Sequence, residues 1–142
     1  SAFAFTSCGS SALKSTIEDG QEVATERWVD DNTFQILAGG EPNEKLKGKI
    51  ARQESAKEAA ELNAKSKIIK KFIGSKVEGA SGMENFIHSG TAVAEEFGAM
   101  FKGGSTKRVT YDKETQACEI IYEVKGKNLK KRVESGDFAQ GK

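Results

Sequence analysis

Between Asn43 and Ile73 the apolar residues recur at intervals of three and four, and this constrains the fold more than any other stretch. Leu46, Ile50, Ala60, Ala64, Ile68 and Phe72 fall on one helical face, and Leu62, Ile69 and Ile73 widen that stripe in its second half. Ala51, Ala56, Ala59, Ala60 and Ala64 favour helix and leave room for close approach to a sheet. Asn43 reads as the N-cap, Glu44 sits where the helix dipole favours an anion, and Gly74 is the natural stop. A helix this long needs a broad apolar partner, and the rest of the chain supplies strands.

Thr33–Ala38 is β-branched and aromatic, lies between Asp30-Asp31-Asn32 and Gly39-Gly40, and reads as a strand. Glu22–Val29 is weakly extended. Thr106–Tyr111 and Ala117–Val124 read as two strands joined by the turn over residues 112–116. A second helix is expected over residues 81–101. It opens on Ser81-Gly82-Met83-Glu84, which has capping-box spacing, with Gly90 and Gly98 as weak points where it could break. Residues 127–133 suggest a short basic helix. The expected fold is α+β: two helices on a small antiparallel sheet of about three or four strands, in a single domain. Length agrees, since 142 residues suit one core. The expected organisation is a signal-peptide remnant and flexible tether over residues 1–21, a globular domain over 22–134, and a disordered tail over 135–142.

Charge is segregated although the net value is only +1. Residues 1–42 carry two basic and seven acidic groups, and residues 43–76 carry ten basic and four acidic. This pattern is unlike a uniformly basic nucleic-acid binder, and the basic helix lacks interleaved aromatics on which bases could stack. A nucleic-acid partner is therefore not expected. Lys65, Lys67, Lys70 and Lys71 form a candidate patch for an anionic partner, against the plainer reading of a solvated helix face.

Catalytic chemistry finds no foothold. His88 is the sole histidine, and with two distant cysteines it does not make a metal-ligand pattern. Gly39-Gly40-Glu41-Pro42 lies between strand and helix, where phosphate loops also lie, but lacks their glycine and lysine signatures. Glu95 and Glu96 are adjacent and point about 100° apart on a helix, so they make no acid–base pair. No catalytic residue, metal or cofactor is expected, and the chain reads as a non-enzyme.

The two cysteines are Cys8 and Cys118. Phe5-Thr6-Ser7-Cys8 follows the apolar run Ala2-Phe3-Ala4-Phe5 and precedes Gly9-Ser10-Ser11, a pattern that resembles a bacterial lipobox with its lipidated cysteine. The alternative is a Cys8–Cys118 disulfide. The lipid reading is preferred because Cys118, Ile120, Tyr122 and Val124 alternate onto one strand face, which fits burial of Cys118. Acylation would hold the chain at a membrane, since each buried methylene contributes about 0.8 kcal/mol and two chains anchor stably.

The runs Ala51-Arg52-Gln53-Glu54-Ser55-Ala56-Lys57-Glu58-Ala59-Ala60 and residues 69–82 resemble the Ala-rich region of small bacterial envelope lipoproteins of the leptospiral outer-membrane type. More distantly, residues 33–133 are similar to the Helicobacter twenty-kilodalton lipoprotein group and to the N-terminal domain of a flagellar assembly lipoprotein. The resemblance implies helices on a small antiparallel sheet and an outer-membrane, lipid-anchored location on the periplasmic or surface side. It also implies a binding or scaffolding role toward peptidoglycan or envelope proteins. The second role in view is an accessory part of periplasmic flagella or another envelope assembly, acting through subunit contacts. Met83, Phe86, Ile87, Phe97, Met100 and Phe101 would line one side of the second helix, as a face for a protein partner or a second copy of the chain.

Overall fold

In the computed structural model the described residues are 25–138, together with a two-residue pair of strands, β1 (Ile17–Glu18) and β2 (Gln21–Glu22). Apart from that pair, the expected tether lies outside the described residues, and so does Cys8. The globular part runs β3 (Glu26–Asp30), β4 (Thr33–Gly40), α1 (Lys49–Ile73), α2 (Gly79–Ile87), α3 (Ala92–Lys102), β5 (Ser105–Tyr111), β6 (Cys118–Lys125) and α4 (Leu129–Ser135). The four longer strands form one antiparallel sheet in the order β3-β4-β6-β5. The α+β expectation holds; α4 is the short basic helix expected over residues 127–133, and the second long helix is divided into α2 and α3.

Strand alternation gives this sheet two unlike faces. Phe34, Ile36 and Ala38 of β4 and Cys118, Ile120, Tyr122 and Val124 of β6 point toward α1 and join its stripe of Ala56, Ala60, Ala64, Ile68, Ile69 and Phe72. Phe72 lies within ring-contact range of Trp28, Phe34, Phe97 and Phe138, with centroids 5.4–6.1 Å apart. Each such pair contributes about 0.5–1.5 kcal/mol beyond its buried area, so this aromatic knot is the main point of cohesion. On the opposite face each strand gives one polar residue to a chain across the sheet. Arg27 Nε donates to Gln35 Oε1 (3.1 Å), Gln35 Nε2 donates to Glu123 Oε1 (2.9 Å), and Lys107 Nζ lies 3.6 Å from Glu123 Oε2. Leu37 pairs with Ile121 beside it as a separate small apolar cluster.

Helix α1 crosses the end of β4 at near-contact distance. A Cβ on Gly40 would sit 2.3 Å from Ala60 N and 2.5 Å from Ala56 O, so only glycine fits there. β4 runs on through Gly39-Gly40, two residues past its expected end, because both still pair with β6, opposite Glu119 and Cys118. The helix itself begins later than expected, at Lys49. Asn43 is not its N-cap. It instead closes a turn, with Lys45 N donating to Asn43 Oδ1 at 2.9 Å. Gly48 takes the N-cap position with φ 94°, a backbone conformation that disfavours side chains. Ile50, expected on the buried stripe, is 73% exposed, because the packed part of α1 starts only at Ala56.

Two further corrections concern chain order. The single helix expected over residues 81–101 is two helices, broken at the left-handed Gly90 (φ 87°). Ser81 lies inside α2 rather than capping it, and the real cap is Thr91, whose Oγ1 accepts from Ala94 N at 3.1 Å to start α3. The disordered tail expected over residues 135–142 is ordered through Phe138, and residues 139–142 lie outside the described residues. Gly136 (φ 84°) ends α4 and lets the chain double back, so Phe138 becomes fully buried against Phe97 at 4.9 Å. The Arg132 guanidinium stacks on its ring at 4.7 Å and also bridges Glu96 at 2.7 Å.

Candidate partner-binding groove

The break between α2 and α3 divides the expected apolar face in two. Phe97 is fully buried and Met100 is 8% exposed, so both belong to the monomer core and are withdrawn as partner contacts. Phe86 is half-buried, its ring edge-on to Phe97 at 5.8 Å. Met83 is also 8% exposed and belongs to the core, but unlike Phe97 and Met100 it lines a surface groove together with Ile87 and Phe101. With Gly98 they floor a groove of about 250 Å³ among α1, α2 and α3, and Lys65 and Lys102 form its rim. Lys65 Nζ lies 5.8 Å from the Phe101 ring centroid, a cation over an aromatic face.

This groove continues along the seam of α1 and α2, sharing Lys65 and Met83 with a neighbouring cleft of about 540 Å³. Ala59, Leu62 and Ala80 line that second part, together with Glu41, Glu58 and Glu61, which make it acidic. The groove thus joins residues from two separate expectations, the apolar face and the lysine patch.

The remaining lysines of that patch do not converge with Lys65. Lys71 ion-pairs with Glu26 at 2.6 Å and lies over the Phe34 ring. Lys67 Nζ donates to Leu37 O at 3.3 Å, serving the part of β4 that extends past β3. Lys67 and Lys70 share a cleft of about 480 Å³ with Lys76, itself paired to Glu78 at 2.8 Å. The patch is therefore two sites on different flanks of α1. Helical spacing explains this: residues 65 and 70 are about 140° apart around the axis.

Cys118 is 3% exposed, and burial pushes its thiol above the ordinary range, which disfavours the nucleophilic thiolate. His88 is exposed at the C-cap of α2. Burial also raises the phenol of Tyr122, to about 12, and its Oη donates to Phe101 O at 3.2 Å. Among the described residues, no cluster of three or more His, Cys, Asp or Glu is placed to hold a metal ion. No described helix is long and apolar enough to cross a membrane.

Gly98 and Lys102 were missed as groove residues by sequence reasoning. In the sequence Gly98 shows only as a glycine inside a helical pattern, a weak point of that helix. Lys102 gave no signal. No protein family, curated protein or solved structure matches this chain.

Proposed function

We propose that this chain is a non-catalytic lipoprotein of the cell envelope, tethered to the outer membrane by acyl chains on Cys8, that binds or scaffolds peptidoglycan or envelope proteins. The reading assigns it no catalytic residue, metal or cofactor, and no nucleic-acid partner. The observation that carries it is Cys118. Acylation of Cys8 requires the other cysteine to be left over, and Cys118, which makes no disulfide among the described residues, is buried on the helix-facing side of β6 as a leftover thiol would be. The lipobox-like Phe5-Thr6-Ser7-Cys8 supplies the attachment point, and the groove among α1, α2 and α3 supplies a place to bind.

Detergent phase partitioning of native cells tests the tether. The wild-type protein is expected in the detergent phase and a Cys8→Ser variant in the aqueous phase. Equal partitioning of both would overturn the anchor. Crosslinking in intact cells then separates the two roles, with peptidoglycan and outer-membrane proteins as the expected adducts and flagellar filament proteins as the contrary result.

A further inference from the structure

We infer that the N-terminal segment, from Leu13 through β1 and β2 to Val23, lies as a strap across the outer face of the sheet and shields Leu37 and Ile121. The strap does not depend on the proposed lipid anchor; only its effect on the anchor's reach, given below, rests on that reading.

An antiparallel sheet with helices on one side ordinarily turns polar residues to water on the other. Here Leu37 and Ile121 face each other in the β4–β6 register, on the side away from α1, and are only 2% and 7% exposed. Their neighbours on that face stand beside them and not over them, since strand side chains rise roughly perpendicular to the sheet. No described helix lies above them. All four helices place their buried residues in the core on the other side, and the Leu37–Ile121 cluster gains no further apolar residue among those described. The cover is also local. On the same face Gly39 and Lys125 are exposed, and so are Arg108 and Thr110 of β5. A narrow segment fits that footprint better than another layer of helices.

These exposures are those of the single chain, so what shields the pair belongs to the same chain. Chain continuity says which part. Thr25 O accepts from Leu37 N at 2.7 Å, so the polypeptide joins the sheet directly beside Leu37. The paired strands β1 and β2 come immediately before that point. The sequence over residues 12–24 also holds three larger apolar side chains, Leu13, Ile17 and Val23. The other terminus leaves the core on the helix side at Phe138, with only Ala-Gln-Gly-Lys beyond it. The face carries both signs, Lys107 and Arg108 against Glu119 and Glu123, so charge does not select the occupant.

The strap changes the reach of the anchor. A free chain from Cys8 to Thr25 could extend about 58 Å, at roughly 3.4 Å per residue. With Leu13 docked, about 17 Å of free chain is left. An acylated domain would be held close to the bilayer instead of ranging on a long leash.

Crosslinking within the full chain tests the strap. A photoreactive residue in place of Arg108, which pairs with Ile121 at the margin of the covered area, should give an intramolecular adduct to residues 12–24. The same residue in place of Lys113, in the β5–β6 turn, should not. Cys8→Ser should keep the adduct, since docking needs no acyl chain. Leu13→Asp combined with Ile17→Asp should uncover Leu37 and Ile121, raise binding of an apolar fluorescent dye about threefold or more, and lower the melting temperature. Valine at both positions should change neither. Unchanged circular dichroism of the Asp variant at room temperature separates release of the strap from unfolding. Adducts between two chains, equal adducts at Lys113, no adduct to residues 12–24, loss of the adduct in Cys8→Ser, or unchanged dye binding in the Asp variant would each overturn the inference. An acylated chain without the strap adduct overturns this inference alone, and a strapped chain with unmodified Cys8 overturns the anchor alone.

Discussion

The two faces of the sheet are built on different physics. The helix-facing side is held by volume: aromatic rings, small residues under α1, and a glycine where two backbones nearly touch. The opposite side is held by a polar chain, Arg27–Gln35–Glu123–Lys107, of two hydrogen bonds and a longer ion pair, with one member from every strand of the sheet. Packing tolerates little change in size, whereas the ladder tolerates any side chain that keeps its bonds. The same kind of substitution should therefore cost very different amounts on the two sides.

The largest effect is expected for Phe97→Ala, which removes a fully buried ring in contact with Phe72, Phe86, Phe101 and Phe138. Chemical denaturation should show a loss of about 3–5 kcal/mol. A loss under about 1 kcal/mol would mean the face is exposed and available to partners after all. Neighbouring glycines of β4 give a sharper contrast. Gly40→Ala forces its Cβ into Ala56 and Ala60 and should lose about 1–3 kcal/mol or more. Gly39→Ala, on the ladder face, meets only Cys118 O at 3.4 Å and should change the melting point little. Similar losses at both positions would break the two-face account.

On the ladder face, Glu123→Ala strands the Gln35 amide and should lose about 1–3 kcal/mol. Glu123→Gln keeps an acceptor for Gln35 and gives up only the longer pair to half-exposed Lys107. It should lie within about 1 kcal/mol of wild type. If Gln is as damaging as Ala, charge rather than the hydrogen bond holds the ladder.

The smallest expected effect is pH-dependent and arises on the buried side. Tyr122 is held protonated up to about 12 in the folded chain, against an ordinary value of 10.0. Its folded value is raised, so the associated stability is complete below pH 10 and is lost as pH climbs toward 12. Tyr111 and Cys118 are shifted upward as well and act in the same direction. Tyr122→Phe should lose only about 0.5–1.5 kcal/mol at neutral pH through its bond to Phe101 O, and should flatten the alkaline fall. An alkaline fall of unchanged steepness in Tyr122→Phe would assign it to other groups.

What the sequence made readable was governed by periodicity. Strand alternation correctly placed Cys118, Ile120, Tyr122 and Val124 on one buried face, because a period of two leaves little choice. The three-and-four spacing located α1 but not its start, since Asn43 closes a local turn equally well and Gly48 carries the cap through its backbone alone. The α2–α3 break falls at Gly90, which the sequence marks as a weak point even though the apolar pattern continues across it. Phe138 was lost to a polar, glycine-containing context that resembles a tail, although Gly136 supplies the reversal that returns the ring to the core. The groove was half readable. Apolar spacing marks Met83, Ile87 and Phe101 and the run of lysines marks Lys65, but their convergence depends on how three helices cross, which no local pattern encodes.

The functional account stands or falls first on where the protein is held, and the intact mass of the chain isolated from native cells tests that directly. The account predicts a mature chain that begins at Cys8 and carries the added mass of two or three acyl groups. An unmodified Cys8 with residues 1–7 still attached would contradict it.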